Sequence, residues 1–177
     1  MPLLLDPPIS SERPVTWAQA KAHLRLDTDD QQAYVESLID AAVDYAQTRL
    51  HSTLLATTLT QAFYENESLL ILPRGPVISV TSVTDANGAA LEYTQSRVGS
   101  SDRLTLTSST GAAPVTVVYQ AGYPTAADIP KSIIHAILCH VGTLFENRES
   151  ASDKNKMPVP HSLDAFYRLK SRFAGVG

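Results

Sequence analysis

The spacing of apolar residues changes character twice along the chain, and this constrains the fold more than any other feature. Between about 30 and 50, Tyr34, Val35, Leu38, Ile39, Ala42, Tyr45 and Ala46 recur at helical spacing and make one broad stripe. From Thr57 to about Tyr123 the pattern turns strand-like, with short β-branched runs between turn residues. After Asp128-Ile129-Pro130 it becomes helical again, with Ile134, Ile137, Leu138, Val141, Leu144 and Phe145 on one face. No internal repeat accompanies these changes.

Within that frame, Thr16-Trp17-Ala18-Gln19 has the form of a capping box and opens a short helix to about Leu26, with Trp17, Ala20 and Leu24 on one side. Asp27-Thr28-Asp29-Asp30 ends it and starts the second helix, placing acids where the helix dipole favours them. In the β block, Leu59 to Tyr64, Leu69 to Leu72, Val77 to Thr84, Leu104 to Leu106 and Val115 to Tyr119 are strand candidates. Asn87-Gly88 predicts a type I′ hairpin whose return strand is Leu91 to Tyr93. Arg74 reads as a residue of the turn in "LPRGP", and Gly99-Ser100-Ser101-Asp102 as a polar loop. Residues 1 to 14, with four prolines, form an arm; 147 to 159 form a mobile loop; 160 to about 173 form a final short helix. The expected class is α+β, mainly α-helical with about four helices, and a small antiparallel β block inserted between helices 2 and 3.

Composition narrows the function classes. A chain of 177 residues with 44% apolar content can bury a core of one domain. One cysteine rules out an intrachain disulfide framework, and no apolar run approaches a membrane span. A formal net charge of −4 disfavours a primary nucleic-acid binder. Searching for chemistry yields little. His135 and Cys139 lie four apart at a spacing metals use, but no third ligand is placed by sequence, so the pair reads as packing. Neither a phosphate loop nor a nucleophile elbow is present, and Glu65 with Glu67 does not make a paired-carboxylate site. The expectation is no catalytic residue, no metal and no cofactor.

Two charge features stand out instead. Glu36, Asp40 and Asp44 are four apart opposite the apolar stripe, where like charges weaken a helix by a few tenths of a kcal/mol. They read either as a solvated face or as an acidic surface kept for a purpose. The first 50 residues carry eight acids and four bases, whereas from Arg148 onward six bases meet three acids. The last helix adds Phe166, Tyr167, Leu169 and Phe173 to Arg168, Lys170 and Arg172. That combination is either ordinary surface scatter or a cationic, aromatic tail that docks on an acidic partner.

In order, "TWAQAKAHLRLDTDDQQAYVESLIDAAVDYAQTRL" at 16–50, "LPRGPVISVTSV" at 72–83, "VTVVYQAGYPTAADIPKSIIHAI" at 115–137 and "FENRES" at 145–150 resemble the head–tail connector (adaptor) proteins of long-tailed bacteriophages and gene transfer agents. The resemblance implies a virion structural protein, assembled in the host bacterial cytoplasm, that forms a ring of about twelve copies beneath the portal protein. It implies that DNA passes through the ring without sequence-specific binding, and that a stopper or tail terminator meets its far side. By the same resemblance, Phe166, Tyr167, Arg168, Leu169, Lys170, Arg172 and Phe173 become candidate portal contacts. Glu36, Asp40 and Asp44 become a candidate channel-lining or intersubunit stripe. The rival readings are another neck component, which would be smaller and mainly β, and a DNA-packaging or DNA-binding protein, which would need a basic helix. Membrane association is not expected.

Overall fold

The computed structural model describes residues 12–65, 67–107, 112–147, 163, 165–167 and 171, and the backbone of 4–5. Three helices are α1 (Trp17–Leu24), α2 (Gln32–Leu50) and α3 (Lys131–Glu146); residues 163 and 165–167 are also helical. Seven strands are β1 (Leu4–Leu5), β2 (Thr57–Phe63), β3 (Leu69–Ile71), β4 (Val77–Thr84), β5 (Tyr93–Val98), β6 (Ser101–Leu106) and β7 (Val115–Ala121). The α+β class with the β block between the second and third helices holds, with a larger β share than the sequence pattern suggested.

The helices assemble by their apolar stripes. Val35, Ile39, Ala42, Ala46 and Leu50 of α2 share one core with Ile133, Ile134, Ile137 and Val141 of α3. Helix α1 adds Ala20 and closes with the expected capping box: Gln19 N–H donates to Thr16 Oγ1 at 3.3 Å, and Thr16 N–H to Gln19 Oε1 at 2.9 Å. Both α1 and α2 end on a left-handed residue, Arg25 at φ 54° and His51 at φ 49°. The acids of Asp27–Asp30 are not in the first turn of α2, which begins later behind Gln31. Asp29 instead turns back to α1, accepting from Lys21 Nζ at 2.8 Å and Trp17 Nε1 at 3.2 Å. A tertiary contact thus outcompetes the dipole preference.

The β block is two antiparallel sheets, ordered β1-β2-β7-β4 and β3-β6-β5. Both contribute to a second core that includes Leu59, Leu70, Leu104, Val117 and Tyr119, so the sheets face each other as a small sandwich. Strand β7 is central and alternates strictly, burying Val115, Val117, Tyr119 and Ala121. Three expectations need correction here. At 85–89 the hairpin is not type I′: Asn87 keeps a negative φ, and only Gly88 is left-handed, at φ 81°. Asp85 Oδ1 accepts from the backbone of Asn87 and Ala89, each at 2.9 Å, which selects a three-residue loop. The return segment pairs with β4 only briefly, through the Thr84–Ala90 bridge and the bond from Leu91 N–H to Val83 O, before the chain crosses to the other sheet as β5. Finally, Ser101 and Asp102 are strand residues, with the turn confined to Gly99 and Ser100 and Asp102 almost fully buried.

The "LPRGP" turn joins the two layers. Arg74 Nη1 donates to Gln47 O at 2.8 Å and to Ser52 O at 3.2 Å, supplying a cation to the carbonyl end of α2. Thr53 N–H donates to Gly75 O, and Gly122 N–H to Pro76 O. Gly122 has φ 120°, and a Cβ there would stand 2.4 Å from Leu55 O. Only glycine fits this crossing.

The expected arm at 1–14 is tied down where it is described. Leu4–Leu5 pairs with Leu59 and Thr60 of β2, and Glu12 Oε2 accepts from Ala126 N–H at 3.3 Å, at the turn that leads into α3. Apart from Asn147, the expected mobile loop at 147–159 lies outside the described residues.

Candidate assembly surfaces

Helix α2 presents the acidic stripe on the side away from its buried face. Glu36 is half-buried, and Asp40 and Asp44 are exposed. Arg13, from the N-terminal arm, bridges the first two: Nη1 lies 3.1 Å from Glu36 Oε2, and Nη2 lies 3.1 Å from Asp40 Oδ2. One fork spanning a four-residue spacing relieves the like-charge repulsion expected there, and offsets one of three negative charges. Glu36 also accepts from Gln32 Nε2 at 2.9 Å. That hydrogen bond first, and then Arg13, holds the Glu36 carboxyl below the usual carboxylate range. Sequence reasoning missed Arg13, because nothing in the local pattern links residue 13 to residue 40.

The C-terminal aromatics are split. Tyr167 is fully buried and Phe166 half-buried, both against the helical core, with Leu163 beside them. The Tyr167 ring meets Tyr45 edge-on at 5.9 Å, and Tyr45 in turn meets His140 edge-on at 4.9 Å. Two polar atoms in this seat, Tyr167 Oη and His140 Nδ1, are buried without a hydrogen-bond partner among the described residues. Burial of the apolar surface of Leu163, Phe166 and Tyr167 favours the seat, while each orphaned polar atom costs about 1–3 kcal/mol against it. Burial lowers the pKa of His140. It raises that of the Tyr167 phenol, with Tyr45 and Cys139 adding to the effect. Of the other candidate docking residues, Arg168, Leu169, Lys170, Arg172 and Phe173 lie outside the described residues.

His135 and Cys139 do come together, Sγ to Nε2 at 3.6 Å, and the His23 ring packs edge-on to His135 at 6.3 Å. Among the described residues no group of three or more His, Cys, Asp or Glu is gathered for a metal ion. Asp102 is another residue the sequence hid. Its carboxylate accepts from Arg97 Nε at 2.7 Å and from Val77 N–H at 3.2 Å, pinning β6 to β5 and to the start of β4. Beside it a cleft of about 220 Å³, lined by Leu50, Pro76, Arg97, Gly99 and Tyr123, opens between the layers. Among the described residues no helix is long and apolar enough to cross a membrane.

An α-helical layer built on an acidic helix, with a β sandwich inserted before its last long helix, is therefore the frame on which these surfaces sit. The sequence model of the phage gp6-like head-tail connector proteins matches residues 15–166. The chain belongs to this family. Members are structural proteins of the head–tail junction, and the chain is accordingly a structural protein of the virion neck. The fold agrees with solved structures. A chain in the neck of an empty gene transfer agent (GTA) particle computed with C6 symmetry superposes with a TM-score of 0.73 at 18% identity, covering 94% of this chain and 95% of that one. A chain in the virion of a native GTA particle gives 0.70 at 19% identity, over 94% and 95% of the two chains. One in the neck of a native GTA particle computed with C12 symmetry gives 0.64 at 18%, over 93% and 94%. No curated protein matches the sequence. The connector match includes α1, α2, strands β2 to β7 and α3, and ends at Phe166, one residue short of the buried Tyr167.

Proposed function

We propose that this connector forms a ring, twelve copies in the virion, beneath the portal protein at the head–tail junction, and that DNA passes through its bore. The observation that carries this reading is the family match over residues 15–166, spanning both layers and their joint. The GTA neck computed with C12 symmetry, which contains a chain of the same fold, supports the copy number.

A passage for DNA must not grip phosphate. Cations in the wall would pair with the backbone and release counterions, producing salt-dependent sticking. The Glu36–Asp40–Asp44 face remains net negative after Arg13 is counted, and this suits it to the bore. The C-terminal segment serves the portal. Leu163, Phe166 and Tyr167 act as the root that holds it to the helical layer, and Arg168, Leu169, Lys170, Arg172 and Phe173 are the contacts beyond the root. The β sandwich, at the other side of the Arg74 joint, meets the next neck component, a stopper or tail terminator. Assembly takes place in the host bacterial cytoplasm and the mature location is the virion. The chemistry is mechanical, with no catalytic step.

Deleting residues 168–177 tests the portal assignment while leaving Tyr167 in its seat. The expected result is a folded protein absent from purified heads, which then fail to join tails. Heads that keep the truncated protein and gain tails would remove the assignment. Mixing the intact protein with duplex DNA at low salt tests the bore: no salt-sensitive complex is expected, and tight binding would favour a DNA-binding role instead.

A further inference from the structure

The two outer faces of the β sandwich are nearly free of charge. Strands β2, β4 and β7 contain no charged residue, and their outward side chains include Thr58, Thr60, Ser82, Thr116, Val118 and Gln120. The outward face of the other sheet presents Leu69, Ile71 and Val98, all exposed, beside Thr94 and Thr105. Its one charged group is Arg103, in register between Ile71 and Ser96, because Arg97 and Asp102 pair with each other on the inward side. Arg103 Nε is buried without a hydrogen-bond partner. Among the described residues no helix packs across either face. The strands run from the joint, where Thr57 and Val77 both pair with Ala121, to a tip at Phe63 and Thr84. Strand side chains stand perpendicular to the sheet, so both faces look sideways from the line that joins the helical layer to the tip.

We propose that in the assembled ring the uncharged face of each copy stacks on the Arg103 face of the next, so that the sandwiches form a closed belt. This rests on the ring reading above. Three observations point to a second copy as the occupant. First, a head-to-tail ring needs two unlike faces on each subunit, and these two differ and look in opposite directions. A component above or below the ring would meet the helical layer or the tip instead. Second, both faces are depleted of charge, as the centres of interfaces are, whereas a solvated surface is commonly about 25–35% charged. Third, Arg103 is a donor without an acceptor in its own subunit. The facing sheet offers the Gln120 amide oxygen and the hydroxyls of Thr60 and Ser82, with no cation to repel it. The spacing closes as well. Sheets stack about 10 Å apart, so each copy takes about 20 Å of the belt. At the twelve copies proposed above the circumference is about 240 Å and the mean radius roughly 38 Å, which leaves an open centre. Three strands about 14 Å across and about 24 Å long give roughly 340 Å² of flat contact, well under the about 800 Å² per partner of a stable pair. The stack therefore forms in the ring and not between dilute subunits.

The test places a photo-crosslinker on the Arg103 face. Thr105, exposed on that face, is replaced by p-benzoylphenylalanine, with the exposed Thr94 as a second site should Thr105 not tolerate it. Both sheets of the sandwich separate these positions from the outward side chains of β2, β4 and β7, so a crosslink to those side chains comes from another copy. Irradiating assembled particles is expected to give a ladder of covalently joined copies, with the crosslink mapping from 94 or 105 to outward residues of β2, β4 or β7. Crosslinks from these positions to a different protein, or to the helices of another copy, would overturn the stack. Imaging the same particles separates the two claims, because a neck lacking this chain defeats the ring reading, whereas a ring of this chain without the ladder defeats the stack alone.

Discussion

The helical layer and the β sandwich bury separate cores, and they recruit the rest of the chain differently. Among the described residues, the sandwich takes its parts from one continuous stretch, residues 57–121, with Leu4–Leu5 added at an edge. The helical layer draws in distant pieces: Arg13 from the arm onto α2, Glu12 onto the turn before α3, and Tyr167 from the far end onto Tyr45. Residues 12–13 and 166–167 thus attach to the helices, while Leu4–Leu5 attaches to the sandwich. The sandwich is an insertion joined to the helical layer around Arg74 and Tyr123, and the helical layer gathers contacts from segments distant in sequence.

Substitutions that sort the joint from the two cores put this contrast at risk. The largest effect is expected for Gly122→Ala, which combines a forbidden φ with a backbone clash at Leu55 and should cost about 3 kcal/mol or more. Chemical denaturation followed by Trp17 fluorescence and by far-ultraviolet circular dichroism should show both signals moving together. An unchanged midpoint would mean that the layers are not coupled there. Next come truncations inside each core. Ile39→Ala and Leu104→Ala, both fully buried, should each cost about 2–5 kcal/mol. If Leu104→Ala leaves the Trp17 transition in place and loosens only β-block amides in hydrogen exchange, the sandwich unfolds as its own unit.

Asp102→Asn should cost about 1.5–3 kcal/mol, since its neutral amide is a weaker partner for Arg97 Nε and Val77 N–H. Hydrogen exchange should confine the loss to β4, β5 and β6. Thr16→Ala removes half of the capping box and should cost about 1 kcal/mol, read as a small shift in the same denaturation curve.

The finest test is pH. His140 has a folded pKa below its ordinary 6.5 because of burial, so the unfolded chain binds a proton first. Its contribution to stability is complete above pH 6.5 and declines as pH falls from there toward the lowered value. The denaturation midpoint should fall over that window, and His140→Phe should lessen the fall. An equal fall in His140→Phe would show that His140 does not set the dependence.

Much of the helical layer was legible in the sequence because its signal is long and local. The stripe from Val35 to Ala46 needs only helical spacing to be read, and Thr16 with Gln19 announces its own cap. The sandwich was harder, because which strand pairs with which is decided by partners far away in sequence. Strand β5, "YTQSRV", is exposed along most of its length and so has no alternation to detect. Asn87-Gly88 pointed to one turn type, and the Asp85 side chain chose another. The candidate surfaces show the same limit. The acidic stripe was visible as a spacing, but its bridge from Arg13 was not. Tyr167 was recognised as an aromatic of the last helix, yet nothing local revealed that it sits against Tyr45.

The most direct measurement is a reconstruction of the neck in assembled particles at a resolution that traces side chains. The expected result is twelve copies of this chain in a ring between portal and tail, with Glu36, Asp40 and Asp44 on the bore, residues 168–173 against the portal and the β sandwich toward the tail. A neck without this chain, or a ring whose three carboxylates face outward while residues 168–173 point away from the portal, would contradict it.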